Sequence, residues 1–215
     1  MKARTRKTLR WGQYALLLAG CAALAYCAVI LLQAKNYQAR AEGQLAERTA
    51  KGSSFPVSSA VSSSTSYREV GRVPQPAAVS EKSGAGMVGR IDIPAAGISA
   101  MIADGDSSDV LRLAVGHVPG TALPGHSGNV GLAAHRDSFF RGLGDVKQGD
   151  VIRVTVPGKE YVYRVKFTDI VTPKETWVLR PTPYEGLTLI TCYPFHYVGT
   201  APKRFIVRAE RSKNE

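Results

Sequence analysis

An all-β domain, barrel or sandwich, carried by one N-terminal membrane helix is the architecture this sequence predicts. Three observations predict it. Residues 87–215 hold seven or eight short runs of strand length, separated by Gly, Pro and Asp turn signals. Trp11–Ala34 is a 24-residue run without a single charge. Between them lies a Ser-, Pro- and Gly-rich stretch that cannot bury enough apolar surface to fold.

The chain opens on Lys2, Arg4, Arg6, Lys7 and Arg10. As a helix, the uncharged run that follows is about 36 Å long, enough to cross a bilayer core with some tilt. Trp11 and Tyr14 suit one interface and Tyr37 the other. The basic cluster keeps the N-terminus in the cytoplasm and puts the rest of the chain outside. A cleaved signal peptide is one rival, but its apolar core is shorter. Leu18-Ala19-Gly20-Cys21 resembles a lipoprotein lipobox, which would make Cys21 a lipidated N-terminus; yet the apolar run continues for more than ten residues beyond it. All three readings leave the remaining chain extracytoplasmic.

Lys35–Lys51 is polar and rich in Ala, Gln, Glu and Arg, and continues the helix for a few turns, with Gly43 as its weak point. Gly52–Gly86 carries serine clusters with Pro56, Pro74 and Pro76. It reads as a flexible tether that holds a domain away from the membrane. The expected divisions are a basic tail at 1–10, an anchor at 11–34, a juxtamembrane segment and linker at 35–86, and a folded domain at 87–215.

Within that domain, Gly89–Pro94 and Ile98–Ala103 alternate as strands. Asp106 or Ser107 caps a short helix through Val115. His117–Asn129 is rich in Pro and Gly and reads as irregular loop. Val130–His135 is a short apolar strand, and Asp137 or Ser138 caps a helical turn containing Phe139 and Phe140. Gly149-Asp150 turns into Val151–Val156, and Pro157-Gly158 into Tyr161–Val171, where Tyr161, Tyr163, Val165 and Phe167 share one face. Leu187–Thr191 alternates as a buried strand ending on Cys192, and Pro194 stops its pairing. Phe205–Ala209 is the last strand.

Charge excludes one class of function. The net +11 divides into +7 for residues 1–51, +1 for 52–86 and +3 for 87–215. The folded part is only mildly basic and shows no basic, aromatic-interleaved face, so nucleic acid is not its partner.

Cysteine use points the other way. Cys21 and Cys27 lie in the apolar run, so Cys192 is the one cysteine of the folded part, and no disulfide framework forms. Taken alone, a lone cysteine is more often a buried, inert thiol. Cys192, however, ends one strand, His135 ends another and Arg204 begins a third. A nucleophilic thiol needs a group to share its proton, and its thiolate is favoured near a cation. His135 fits the first need and can later protonate a leaving amine. Arg204 keeps its charge and presents forked donors to the oxyanion of an acyl transfer.

Thr188-Leu189-Ile190-Thr191-Cys192 matches the TLxTC signature of sortases, membrane-anchored bacterial cysteine transpeptidases. Gly128-Asn129 through Ala134-His135-Arg136-Asp137 resembles their histidine segment, and Ala201-Pro202-Lys203-Arg204-Phe205 their arginine strand. The resemblance spans about Met87–Arg211, and the Cys-Tyr-Pro-Phe continuation with the compact domain is most similar to class D. It implies a closed eight-stranded β-barrel, with Cys192 as nucleophile, His135 as general acid/base and Arg204 as oxyanion or carbonyl ligand. It also implies that Thr191 helps bind substrate and that His117 lies near the substrate groove, although an exposed loop histidine is the plainer reading of His117. The implied reaction cleaves an LPxTG-like C-terminal sorting signal after its threonine, through a thioester. The acyl group passes to an amine acceptor, a peptidoglycan precursor or a pilin lysine. Related alternatives are a thiol peptidase that hydrolyses the same bond and an inactive sortase-like scaffold.

No cofactor or metal is called for. His117, His126, His135, His196 and Cys192 lack the close paired spacing of structural zinc ligands. Asp104, Asp106 and Asp109 lack an EF-hand pattern and read as solvated loop. Asp137 suits a turn or cap better than a partner for His135. His135-Arg136-Asp137 is similar to a kinase catalytic loop, but no Gly-rich loop accompanies it.

Overall fold

In the computed structural model, which describes residues 2–50, 86–197 and 199–212, eight strands close into one barrel. They are β1 (Met87–Ile93), β2 (Ile98–Asp104), β3 (Val115–His117), β4 (Gly128–Ala133), β5 (Val151–Val156), β6 (Lys159–Val171), β7 (Glu185–Tyr193) and β8 (Lys203–Arg211). Around the barrel the order is β1-β2-β3-β4-β7-β8-β6-β5, and β5 pairs back onto β1. Closure gives every strand a neighbour on both sides, although the short β3 covers only part of β2. Among the described residues two α-helices accompany the barrel, α1 (Lys2–Ala50) and α2 (Ser108–Leu113).

The period-2 alternation of the strands sorts side chains to two faces. Ile91, Ile102, Leu132, Val154, Tyr163, Leu187, Leu189 and Val207 fill the interior. On the outer face of β7 and β8, Ile190 and Ile206 pack with Val171, Val178 and Leu179 from the β6–β7 connection. That connection, with a 3-10 turn at Thr176–Leu179, roofs the outer face.

The first two strands and β5 to β8 fall where alternation predicts them. Three local features differ. β3 runs from the end of the segment read as helix, at Val115, to the first residue of the segment read as loop, His117, because three residues are too few to show a period. The turn after His135 is followed by a 3-10 helix at Arg141–Asp145 rather than a capped α-turn. In β6 the register shifts between Val165 and Phe167, so one extra residue turns the strand over. Tyr161, Tyr163 and Val165 face the core, but Phe167 is opposite Arg208 and exposed.

Helix α1 unites the apolar run and the polar segment after it. Leu16, Leu18 and Leu24 are 72% or more exposed, an apolar surface that suits lipid rather than a protein core. The same helix then docks on the barrel. Ala41 and Leu45 bury Met101 of β2 between them, with Tyr37 alongside. β3 pairs with β2 only from Ile102 onward, which leaves the edge at Met101 unpaired. The Gln38 side chain fills it, accepting from Met101 N at 2.7 Å and donating to Leu113 O at 2.6 Å. Glu42 pairs with Arg90 at 2.9 Å. The tether expected at 52–86 lies outside the described residues except for Gly86; α1 itself touches the barrel.

Candidate active site

Two strand registers bring the site together. β4 and β7 run parallel, with Leu132 opposite Leu189 and Ala133 opposite Ile190. Continued beyond the strand end, that offset sets Ala134 beside Thr191 and His135 beside Cys192. The Ala134 amide donates to Ile190 O at 3.2 Å, and Thr191 Oγ1 donates to Ala134 O at 2.8 Å. β7 and β8 run antiparallel, with Cys192 opposite Arg204. His135, Cys192 and Arg204 therefore stand at one level on three adjacent chain segments. Strand spacing of about 4.8 Å places them within reach of one substrate atom. They line one cleft of about 270 Å³ together with Arg136, Asp137 and Gly199–Ala201.

The three reactive groups are sparsely bonded. Cys192 is half-buried and its thiol is free. Arg204 Nη1 donates to Ala201 O at 3.2 Å and Lys203 O at 2.9 Å, so its own loop holds one end of the guanidinium. None of the described hydrogen bonds ties down the His135 ring.

Below this cleft, sharing Arg204, runs a groove of about 290 Å³. Ala133, Ile190 and Ile206 form its floor, and Val178 and Leu179 its roof. The rest of its rim is Val171–Pro173, Glu175 and Thr176, with Asp106 and Val118 across from them. Glu175 orders the roof. Its carboxylate accepts from Thr172 N at 2.6 Å and from Trp177 Nε1 at 3.5 Å. The bonds from Thr172, backbone first, hold its pKa below the ordinary 4.5. At the far end of the roof, Val178 O accepts from Asn129 Nδ2 at 2.9 Å and Arg208 Nη1 at 2.6 Å. Thr188 Oγ1 donates to Asn129 Oδ1 at 2.7 Å and accepts from Arg208 at 2.7 Å. Gly131 lies close beneath this roof, and a Cβ there would stand 2.8 Å from Leu179 Cδ2, so the leucine would have to shift.

Two residues expected at the substrate lie elsewhere. Thr191 is 2% exposed and points inward, in phase with Leu187 and Leu189, because alternate β7 residues face opposite sides. Its hydroxyl holds Ala134 and so fixes where His135 emerges. His117 is 4% exposed rather than an exposed loop histidine. Its Nδ1 lies 3.3 Å from Asp104 Oδ1, and its Nε2 lies 3.0 Å from Ala122 O and 3.2 Å from Thr121 Oγ1. Neither residue lines the cleft or the groove.

Other contributors carried only a faint local signature. Arg136 donates to Pro194 O at 2.7 Å, Tyr197 O at 2.6 Å and Gly199 O at 3.1 Å, which clamps the loop after Cys192. The signal in the sequence was a basic residue directly after the candidate histidine. Asn129, Thr188 and Arg208 are polar residues inside strand patterns, a hint of a buried network whose partners only the register reveals.

Comparison with known proteins agrees with this geometry. The Sortase domain family model matches residues 91–212. Sortase D of Bacillus subtilis is 36% identical over 124 residues, which are 57% of this chain and 63% of that protein, so the match covers less than two thirds of the relative's length. A Clostridium perfringens Sortase D5 transpeptidase superposes with a TM-score of 0.54 at 30% identity, over 59% of this chain and 79% of that one. Sortase C-1 of Actinomyces oris gives 0.54 at 36% identity, over 58% and 72%. Sortase A of Corynebacterium diphtheriae gives 0.58 at 31% identity, over 62% and 64%. The domain match across more than half the chain, on the barrel that carries the cysteine, histidine and arginine, shows that this protein belongs to the sortase family.

Proposed function

We propose that this protein is a membrane-anchored cysteine transpeptidase of the class D type, with His135, Cys192 and Arg204 as its catalytic residues. The observation that carries the reading is their common level across β4, β7 and β8, above an apolar groove. An LPxTG-like sorting signal lies in that groove. Its Leu and Pro rest on the partly exposed Ile190 and Leu179, and its threonine carbonyl reaches Cys192. The sulfur attacks that carbonyl carbon, and Arg204 stabilises the charge that develops on its oxygen. His135 protonates the departing amine, leaving a thioester. An acceptor amine resolves it.

α1 anchors the enzyme through the apolar run, with the N-terminus inside and the barrel outside. Gln38 touches the barrel only four residues beyond Ala34, a rise of about 6 Å. The barrel thus works close against the membrane, where substrates still held by their own anchors arrive.

The test uses the full chain in detergent micelles, a library of LPxTG-type peptides, an amine acceptor and mass spectrometry. An acyl-enzyme mass and an amide product, both absent with Cys192→Ala, support the reading. Hydrolysis alone favours a thiol peptidase, and no acyl-enzyme from any peptide favours an inactive scaffold.

A further inference from the structure

Residues 194–202 join the strand that carries Cys192 to the strand that carries Arg204. The Phe195 ring packs against Tyr193 and Phe205 and holds the first part of this connection down. Beyond it, His196, Tyr197, Gly199, Thr200 and Pro202 are exposed. Apolar burial alone leaves such a segment free to open locally.

Among the described residues, the hydrogen bonds that reach 194–200 from elsewhere in the barrel all come from one side chain. Arg136 Nη1 donates to Pro194 O at 2.7 Å, and Nη2 donates to Tyr197 O at 2.6 Å and Gly199 O at 3.1 Å. Its guanidinium carbon also lies 5.9 Å from the centre of the Tyr197 ring. A planar fork can reach three carbonyls spread along a loop, where a single ammonium cannot. None of the described ion pairs engages Arg136. Its donors serve backbone geometry and not charge neutralisation.

The same connection holds the other arginine of the cleft. Arg204 Nη1 donates to Ala201 O and Lys203 O, while Nη2 and Nε take no described bond. The two guanidinium groups therefore differ. Arg136 has both terminal nitrogens engaged, and Arg204 keeps one terminal nitrogen free for a developing oxyanion. Where that free end stands depends on Ala201, and Ala201 is two residues beyond Gly199, the last carbonyl that Arg136 holds. Arg136 is also the neighbour of His135 in the chain, and Pro194 is two residues beyond Cys192. One guanidinium thus bears on the chain beside all three reactive residues.

We propose that Arg136 is a positioning residue, which acts through the 194–201 connection to set the free end of Arg204 where the oxyanion forms. The inference rests on the transpeptidase reading and deepens it. Without the clamp the connection moves, and a shift of about 1 Å at the donor costs about 10²-fold in rate. Arg136 lines the cleft but not the substrate groove, so donor binding does not depend on it.

The full chain in micelles would be mixed with LPxTG-type peptides, and thioester formation followed by intact mass at saturating peptide. Arg136→Lys keeps the charge and loses the fork. It should slow acylation about 10²-fold at an unchanged donor KM. Arg204→Gln should slow it by about 10²–10³-fold. The double variant should be no slower than Arg204→Gln alone, because a clamp that works through Arg204 then has nothing left to position. Arg136→Gln, which can still reach one carbonyl, serves as a second variant in the same cycle and should behave alike, with a denaturant melt to show that each protein is folded. A wild-type rate in Arg136→Lys would mean that charge alone matters and overturns the clamp. Losses that multiply in the double variant overturn action through Arg204. A raised donor KM at an unchanged saturated rate would assign Arg136 to substrate binding and overturns it too. Those three outcomes leave the cysteine chemistry standing. A wild type that forms no thioester from any peptide overturns the transpeptidase reading, and the inference falls with it.

Discussion

Thr188 and Cys192 lie four residues apart on the same outer face of β7, and they are treated in opposite ways. At Thr188 every polar atom is engaged. The hydroxyl, the Asn129 amide, the Arg208 guanidinium and the Val178 carbonyl form one closed network that pins the groove's roof to the sheet. At Cys192 the thiol, the His135 ring and much of the Arg204 guanidinium are left open to a cleft. The first end trades polar freedom for rigidity. On the proposed reading the second keeps donors and a nucleophile unspent, because groups already satisfied in the resting protein have nothing left to offer a transition state. The rigid end gives the open end its geometry.

Substitutions at the two ends should therefore separate activity from stability. Cys192→Ala should lower transfer by at least about 10³-fold and shift stability by no more than about 0.5 kcal/mol, since it removes one unbonded, half-buried sulfur. Steady-state transfer rates and a denaturant melt read the two quantities. A matching loss of stability would mean that the thiol is part of the core and would break the contrast.

Thr188→Val should do the reverse. It leaves Asn129 Oδ1 and one Arg208 donor without their partner in a buried place, a cost of about 1–3 kcal/mol. The melt should shift by that amount, with donor KM raised as the roof loosens and the acylation rate at saturation little changed. A fall in that saturated rate with no change in the melt would assign Thr188 to the chemistry instead.

The same contrast explains how far the sequence could be read. Strands β5, β7 and β8 were legible because alternation is local. Cys192 and Arg204 were legible because each is an odd residue type near a strand end, and His135 because it follows the apolar run of β4, two residues past Ala133. Their meeting depends on two register offsets, and composition carries no register. Thr191 shows the limit: adjacency to the cysteine suggests contact with substrate, but adjacency in a strand means the opposite face. The closed network was hidden for the same reason, since Asn129 and Arg208 are 79 residues apart in the chain. β3 and the extra residue in β6 were missed because one to three residues carry no period. The docked half of α1 was legible as helix, but its contact with the unpaired edge at Met101 was not.

That docking gives a smaller effect. Gln38→Ala removes two hydrogen bonds from the edge of β2, worth about 1 kcal/mol of docking. With a protease site inserted between residues 51 and 85 and the full chain in liposomes, cutting should leave most of the wild-type barrel on the vesicles. The Gln38→Ala barrel should be released about five-fold more readily. Complete release of both after cutting would show that the covalent linker, and not α1, holds the barrel at the membrane.

The smallest effect should come from the carboxylate that orders the groove's rim. Glu175 is fully exposed, so solvent screens it and its contribution is local. Hydrogen bonds from Thr172, backbone first, hold its pKa below 4.5, so it favours the ordered loop wherever it is ionised. The sign follows: the ordering is fully present above the ordinary value of 4.5 and fades only as pH falls through the depressed value. Trp177 reports it, because its indole donates to the same carboxylate. In a Trp11→Phe background its fluorescence should hold steady from pH 7 to 5 and change below 4.5. Glu175→Gln should show the acid-side signal at every pH and a modest rise in donor KM. A midpoint above 4.5 would mean that the carboxyl is destabilised where it stands, and that the rim is ordered by the Val178 network at its other end alone.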